Sequence, residues 1–378
     1  MPTIPDSYEQ SRERFRTRLD LLRPLWPASR LTSIPQPYEP DLTTDVISAA
    51  AGLFGSGTAE QLRLLVLSTG LHGIEGYLGS AALELFFEEY LSRLDPLTTG
   101  LLLIHAINPW GMKYWKRTNP ANVDLNRNFF ERDFAMLKDF NTDYPALSPF
   151  LNPQRPLDNL AAEKFRFAGQ TLQKLITFGP RRVREAALMG QYHQPNGIYF
   201  GGTERQPETK AMMDLYRSAF TGYKQIIHLD LHIGYGPRDQ MTLVTSPHEK
   251  MTAAETSAKY GTPRVAAANP DEFYTMQGDM TDWEYKLVEQ EFPGTKFFGA
   301  ACEFGTFGES ILAGARSLRI TIFKNQLNQH GASPAAARWV ENEYRELYLP
   351  SEAAWFEKAV VDARQTFEGV FGAEGMIK

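Results

Sequence analysis

The chain of 378 residues predicts an α/β protein with a single mixed, mostly parallel central sheet and helices on both faces. Two observations predict that architecture. Four short runs are almost wholly apolar, which marks strands buried on both sides rather than strands with one wet face. Between them lie stretches whose apolar residues recur at helical spacing, and no linker, internal repeat or low-complexity tract divides the chain.

Taken in order, Ser7 to Arg23 predicts an amphipathic surface helix stopped by Pro24, and Pro35 to Pro40 a loop. Leu42 to Ser48 reads as an edge strand. Leu62, Leu64, Leu65, Val66 and Leu67 then make a central strand that ends in Ser68-Thr69-Gly70-Leu71-His72-Gly73-Ile74-Glu75-Gly76. Leu78, Ala81, Ala82, Leu85 and Phe86 share one helical face after that turn, in a helix ending near Leu94. A second buried strand runs from Leu101 to Ile107. A polar, aromatic stretch follows from Trp110 to Phe130, then helices from Asn159 to Phe178 and from Pro180 to Met189. The loop between Gly190 and Glu208 is too long to be a mere connector. Pro207 suits a helix first turn, and that helix runs to Phe220. Ile226 to His232 is a third strand and Phe297 to Glu303 a fourth. Helices from Glu309 to Gln329, Pro334 to Leu347 and Ser351 to Phe367 close the chain, with Ser333-Pro334 as cap and first turn of the second.

Composition narrows the function classes. Hydrophobic residues make up 43% and charged residues 22%, an ordinary globular balance. A net charge of −6 without a basic block argues against nucleic acid or an anionic membrane as partner. No apolar run approaches a membrane span, and the first residues lack the basic-then-apolar pattern of a signal peptide. Cys302 is the only cysteine, so no intrachain disulfide forms and a cytoplasmic location is expected. Neither type of glycine-rich phosphate loop follows a strand, which disfavours a nucleotide-binding protein.

The chemistry concentrates at strand ends. His72 and Glu75 sit three residues apart on a glycine-bounded turn, where an imidazole and a carboxylate reach one cation. His232 closes the third strand and Glu303 the fourth, so the groups converge if these strands are neighbours, outside the carboxyl ends of an open sheet. A lone strand histidine is more often a core residue than a ligand. Here Asp230 shares its strand face and Gly234 ends the strand just beyond it. By position, His228 at the start of that strand and His105 in the second read as structural. His193 is within the long loop, while His248 and His330 read as surface residues.

Between the first two groups and the third lies Lys116-Arg117, followed by Asp124-Leu-Asn126-Arg127-Asn128-Phe129. The order His-x-x-Glu, Asp-Leu-Asn-Arg-Asn-Phe, strand histidine, strand-end glutamate resembles the zinc carboxypeptidase A-like superfamily. That superfamily also holds aspartoacylase and succinylglutamate desuccinylase. The resemblance is nearest to a bacterial domain-of-unknown-function branch carrying His-Gly-(Val/Ile)-Glu-Gly and Glu-x-Gly-Thr. Phe273-Tyr274 through Gly278, Thr281, Asp282 and Trp283 resembles the family's Tyr-x-x-x-Gly-x-x-x-Asp-Trp segment. Gln206-Pro207-Glu208-Thr209 resembles its Glu-Pro-Glu-Thr helix start.

The resemblance implies the three-layer sandwich of the zinc carboxypeptidase (phosphorylase/hydrolase-like) fold, as one zinc-hydrolase domain over residues 1–378. Residues 1–40 would be an N-terminal helical extension and 130–202 an insertion near the cleft. It implies His72, Glu75 and His232 as ligands of one zinc ion per chain. Glu303 would be general base and acid, and Arg117 would polarise the scissile carbonyl. Asn126 and Arg127 would hold a substrate carboxylate, with Asp124 the carboxylate behind His72. Tyr274 would close over substrate, and Thr281 would floor the specificity pocket with no charge to select a basic side chain. Only ten positions separate Arg117 from Arg127, fewer than in digestive carboxypeptidases. The expected activity is cleavage of an amide beside a free carboxylate, carboxypeptidase-like, on a small peptide. The alternative is deacylation of an N-acyl amino acid; a non-catalytic metal-bearing binder is disfavoured by Glu303, which such a protein does not need. Fold resemblance does not choose the substrate.

Overall fold

The computed structural model describes residues 2–51, 62–137, 139–267 and 277–377. Eight strands form one sheet: β1 (Arg30–Pro35), β2 (Thr43–Ala49), β3 (Arg63–Thr69), β4 (Thr99–His105), β5 (Gln225–Ile233), β6 (Met241–Thr245), β7 (Val265–Ala267) and β8 (Lys296–Phe304). Their spatial order is β1-β2-β4-β3-β5-β8-β6-β7. The central β4, β3, β5 and β8 are mutually parallel. The pairs β1–β2, β2–β4 and β6–β8 are antiparallel, and β6–β7 is parallel.

The apolar runs divide between two layers. Leu65, Leu67, Leu101, Leu103, Ile227, Leu229 and Leu231 pack with the helices Gly76–Glu89 and Ala353–Ala373. Leu64, Val66, Leu102, Ile104 and Ile226 pack on the other face with Pro207–Ala219 and Met280–Glu291. A third apolar cluster joins Tyr144–Leu151, Leu160–Phe178 and Pro180–Leu188 to Ile311–His330 and Pro334–Tyr348. Burying one leucine contributes roughly 2 kcal/mol. Both faces are rich in such residues, so apolar patterning alone barely selects a register. The polar residues of β5 do: a one-residue slip would turn Asp230 and His232 into the layer of Leu65, Leu67, Leu229 and Leu231.

Several elements differ from the sequence reading. Ser7 to Arg23 forms two helices, Tyr8–Thr17 and Leu19–Leu22, with the Ser7 hydroxyl capping the first. This segment is not a surface element throughout, because Phe15, Leu22 and Trp26 are buried in the core. Nor is the N-terminal region only helical: it supplies β1, so β2 is an inner strand instead of the edge. β6, β7 and the helices Ala253–Tyr260 and Met280–Glu291 were not anticipated. His105 ends β4 rather than lying mid-strand; it is buried, 2.6 Å from the Ser11 hydroxyl. Among the described residues, no helix is long and apolar enough to cross a membrane.

The turn after β3 is pinned by close backbone packing. Gly70 has φ of +70°, which favours glycine, and Ile74 donates its N–H to the Lys116 carbonyl at 2.9 Å. A Cβ on Gly73 would lie 2.2 Å from the Gly111 carbonyl carbon and 2.3 Å from the Met112 nitrogen. Gly73→Ala therefore forces the His72–Glu75 turn off the segment that carries Arg117. The expected loss is about 3 kcal/mol, the upper end for overpacking, read as a lowered urea midpoint; an unchanged midpoint would refute this account of the turn.

Candidate metal centre

β3 and β5 lie side by side, and the chain leaves β3 toward β4 but leaves β5 toward β8 and β6. The crevice at their carboxyl ends is where such a reversal of strand order opens a site. His72 precedes the short turn Gly73–Glu75, and Glu75 stands at the start of Gly76–Glu89. His232 is the penultimate residue of β5, and register pairs it with Glu303 on β8. One ligand atom from each of His72, Glu75 and His232 lies within 4.8 Å of the others, and all three residues are buried.

Hydrogen bonds orient this group. His232 Nε2 is 2.5 Å from Asp230 Oδ2, and its Nδ1 is 3.1 Å from Glu75 Oε2. The same Glu75 oxygen accepts the Ile233 N–H at 3.0 Å. Arg117 stands over the cluster: Nη2 is 2.6 Å from His72 Nε2, Nη1 3.3 Å from Glu75 Oε1 and Nε 2.9 Å from Asp124 Oδ2. Asp124 Oδ1 is 3.5 Å from His72 Nδ1, so its closer engagement is with Arg117. Burial, followed by the charges of Arg117 and His232, holds His72 well below the usual histidine range. Its imidazole is therefore neutral, the state a metal ligand requires. Asp124, though buried, stays below the ordinary carboxylate range because Arg117 and Arg127 face it. Two imidazoles and a carboxylate form the donor set of a catalytic zinc site, and His72 Nδ1 is buried without a hydrogen-bond partner among the described residues, so these residues fit such an ion.

Glu303 differs from its neighbours. Its Oε2 is buried with no hydrogen-bond partner among the described residues. Burial pushes its carboxyl up to about 7, with His232 and Arg117 pulling down and Glu75 adding to the rise. A carboxyl poised near neutrality beside a metal ligand set is suited to accept and return a proton.

The crevice opens into a cleft of about 610 Å³. Leu175, Val183, Ala187 and Leu188, from the 130–202 segment, line it together with Arg117, Glu303, Asn126, Arg127 and Thr281. Asn126 spends its side chain within the protein, donating to Asp279 Oδ2 at 2.8 Å and accepting the Met280 N–H at 2.9 Å. Arg127 is buried, donating to the carbonyls of Asn126 and Leu188 at 2.9 and 2.8 Å. Thr281 is flanked by Asp279 and Asp282, which also line the cleft. Burial and then Asp279 raise the Asp282 carboxyl to about 7, and the Ser246 hydroxyl donates to it at 2.6 Å. The surroundings of Thr281 are thus more acidic than the residue alone implies. Tyr274 lies outside the described residues. Tyr199, which the sequence reading passed over, lines the cleft at φ +51° with its ring 5.4 Å from the Arg117 guanidinium and 5.8 Å from that of Arg127. Its only sequence signal was the length of the loop that holds it.

The family model described as "Protein of unknown function (DUF2817)" matches residues 5–362. No curated protein is significantly similar in sequence. Among solved structures, the carboxypeptidase A of Helicoverpa armigera is 12% identical, covering 89% of this chain and 73% of that one, with a TM-score of 0.47. Bovine thrombin-activatable fibrinolysis inhibitor is 14% identical over 89% and 99% of the two chains, with a TM-score of 0.46. A Shewanella frigidimarina protein provisionally described as a succinylglutamate desuccinylase/aspartoacylase is 15% identical over 80% and 72%, with a TM-score of 0.37.

If His72, Glu75 and His232 form one metal site, protein purified after exposure to zinc should carry about one ion per chain by elemental analysis. His232→Ala should lose most of it, and full occupancy in that variant would exclude the ligand set.

Proposed function

We propose, from the premise that the chain belongs to the DUF2817 family and carries the site described above, that it is a zinc-dependent hydrolase. Its reaction is cleavage of an amide beside a free carboxylate, carboxypeptidase-like. The observation that carries the reading is Glu303: a half-buried residue whose inner carboxyl oxygen has no partner among the described residues, set in register beside His232 and raised to about 7. One zinc ion held by His72, Glu75 and His232 would supply Lewis acidity and a water acidic enough to attack an amide. Glu303 takes the proton of the attacking water and passes it to the leaving amine. Arg117, already turned toward the cluster, polarises the scissile carbonyl while Asp124 holds its Nε. Arg127 recognises the substrate carboxylate, and Tyr199 braces both guanidinium groups. Asn126 contributes by fixing the start of Met280–Glu291 on the cleft wall, and Thr281 faces the side chain of the released residue. Tyr274 keeps its proposed role of closing over substrate.

A second reading, deacylation of an N-acyl amino acid, is favoured by one feature. The helices Leu160–Phe178 and Pro180–Leu188 contribute side chains that close in the cleft, and about 610 Å³ suits a small molecule better than a long peptide. Substrate is accordingly a short peptide or an N-acyl amino acid, met in the cytoplasm, where a lone buried Cys302 stays reduced.

A screen of C-terminally free peptides and N-acyl amino acids, each paired with its amidated form, decides between the readings and tests both. Arg127→Ala should penalise free-carboxylate substrates far more than amidated ones. Glu303→Gln keeps shape and removes the base, so the protein should retain zinc while turnover falls by roughly 10²-fold or more. Turnover within a few-fold of wild type in a zinc-loaded Glu303→Gln protein would refute the mechanism.

A further inference from the structure

Behind the candidate ligand His232, a row of polar groups runs into the layer between the sheet and the helix Met280–Glu291. His228, Asp230 and His232 share one face of β5, and Ser68 stands opposite Asp230 on β3. Asp230 Oδ1 accepts the Ser68 hydroxyl at 2.6 Å, and His228 Nε2 is 2.7 Å from the same Ser68 oxygen. At the far end His228 Nδ1 is 2.8 and 2.9 Å from the two oxygens of Glu284. All five residues are buried, among Val66, Met213, Tyr216, Met280 and Leu287. Such a file of polar groups inside an apolar layer is costly unless every member is satisfied, and here every link is made.

The directions of these bonds follow from simple proton counting. Asp230, as a carboxylate, only accepts, so the Ser68 hydroxyl proton and the His232 Nε2 proton both point at it. Ser68 has then spent its single proton, and must accept from His228 Nε2–H. Whether the proton between His228 and Glu284 rests on nitrogen or on oxygen, His228 Nε2 still carries its hydrogen. Glu284 thereby selects the donor state of His228, which turns Ser68 toward Asp230, which accepts from His232 Nε2–H and holds the ring with Nδ1 facing Glu75.

We propose that this buried chain is a positioning device for the metal centre, with Ser68, His228 and Glu284 acting through Asp230 to present His232 Nδ1 to the ion. The proposal rests on the reading of His232 as a metal ligand. It goes beyond that reading in assigning a role to residues that touch neither substrate nor metal. It also links the ligand to the helix whose first turn forms the cleft wall, since Asp279, Thr281 and Asp282 lie one turn before Glu284.

The test uses the metal-free full chain. Ser68→Ala removes the link, Ser68→Thr restores the hydroxyl on a residue that strands accept well, and Glu284→Gln removes the anion at the far end without changing shape. Co²⁺ affinity by chelator competition, the visible spectrum of the Co²⁺ protein and the imidazole ¹⁵N shifts of His232 are read together, with folding checked by circular dichroism. The expected result is binding weakened about tenfold in Ser68→Ala, the lower end for groups behind a ligand. Glu284→Gln should shift binding in the same direction and Ser68→Thr should remain near wild type. The His232 Nε2 shift should move in Ser68→Ala, as its bond to Asp230 loosens. Folded Ser68→Ala and Glu284→Gln proteins with wild-type affinity, spectrum and ¹⁵N shifts would overturn the proposal, because a purely structural chain would lower stability alone. A wild-type protein that binds no Co²⁺ would overturn the metal reading instead, and the ¹⁵N shifts would still decide whether the chain holds His232.

Discussion

The parallel pairing of β3 with β5, Ser68 opposite Asp230, is the constraint on which the rest of this molecule depends. It brings the turn carrying His72 and Glu75 beside His232, two segments separated by more than 150 residues of sequence. It also places the polar face of β5 against Ser68 instead of against another leucine. Parallel strands need long crossovers, and the crossover from β4 to β5 is where this chain has its roofing helices. One pairing therefore sets both the convergence of these three side chains and the route of the segment that covers them.

Charge balance then shapes the site. Glu75, Asp124 and Asp230 are buried and Glu303 is half-buried within a small volume, and the cations facing them include Arg117 and Arg127. Isolated buried carboxylates would protonate, so what each does depends on its partners. Asp124 lies against arginine and stays charged, whereas Glu303 has one oxygen without a partner among the described residues and rises to about 7. Two carboxyls in one crevice are thereby driven apart in acidity, the pattern that separates a supporting charge from an acid–base group. A divalent cation between His72, Glu75 and His232 would add positive charge where the anions are densest.

What the sequence disclosed follows from what strands and turns leave written in it. β3, β4, β5 and β8 are central and mostly apolar, so their runs stand out against any background. β1 did not, since most of its residues face solvent and it ends in Pro35; without it β2 looked like an edge. β7 has three residues, too few to show a period. The Met280–Glu291 helix was obscured because its first turn was read as a family segment rather than for its Asp279 cap. At the site, local pairs such as His72 and Glu75 were legible, and alternation placed Asp230 behind His232. The contacts of Arg117 with His72 and Glu75, and of Tyr199 with two arginines, join distant segments and have no local signature.

His228 shows where that reading ran out. From the sequence it was a histidine at the beginning of a strand, the wrong end for a ligand, and a structural role followed. The structure agrees that it is remote from the ligand cluster, yet it is bonded on both nitrogens, to Ser68 and to Glu284. A histidine whose two nitrogens are both engaged transmits orientation from one partner to the other, because its ring cannot rotate without breaking both bonds. Position along the strand separates ligands from non-ligands but says nothing about which non-ligands are connected to them. The informative pattern was the complete alternation His228, Asp230, His232 on one face of an otherwise apolar strand. Three ionisable side chains on one buried face require partners from the layer they point into, and that requirement alone calls for a polar residue on the neighbouring strand and another on the facing helix. Ser68 and Glu284 meet it.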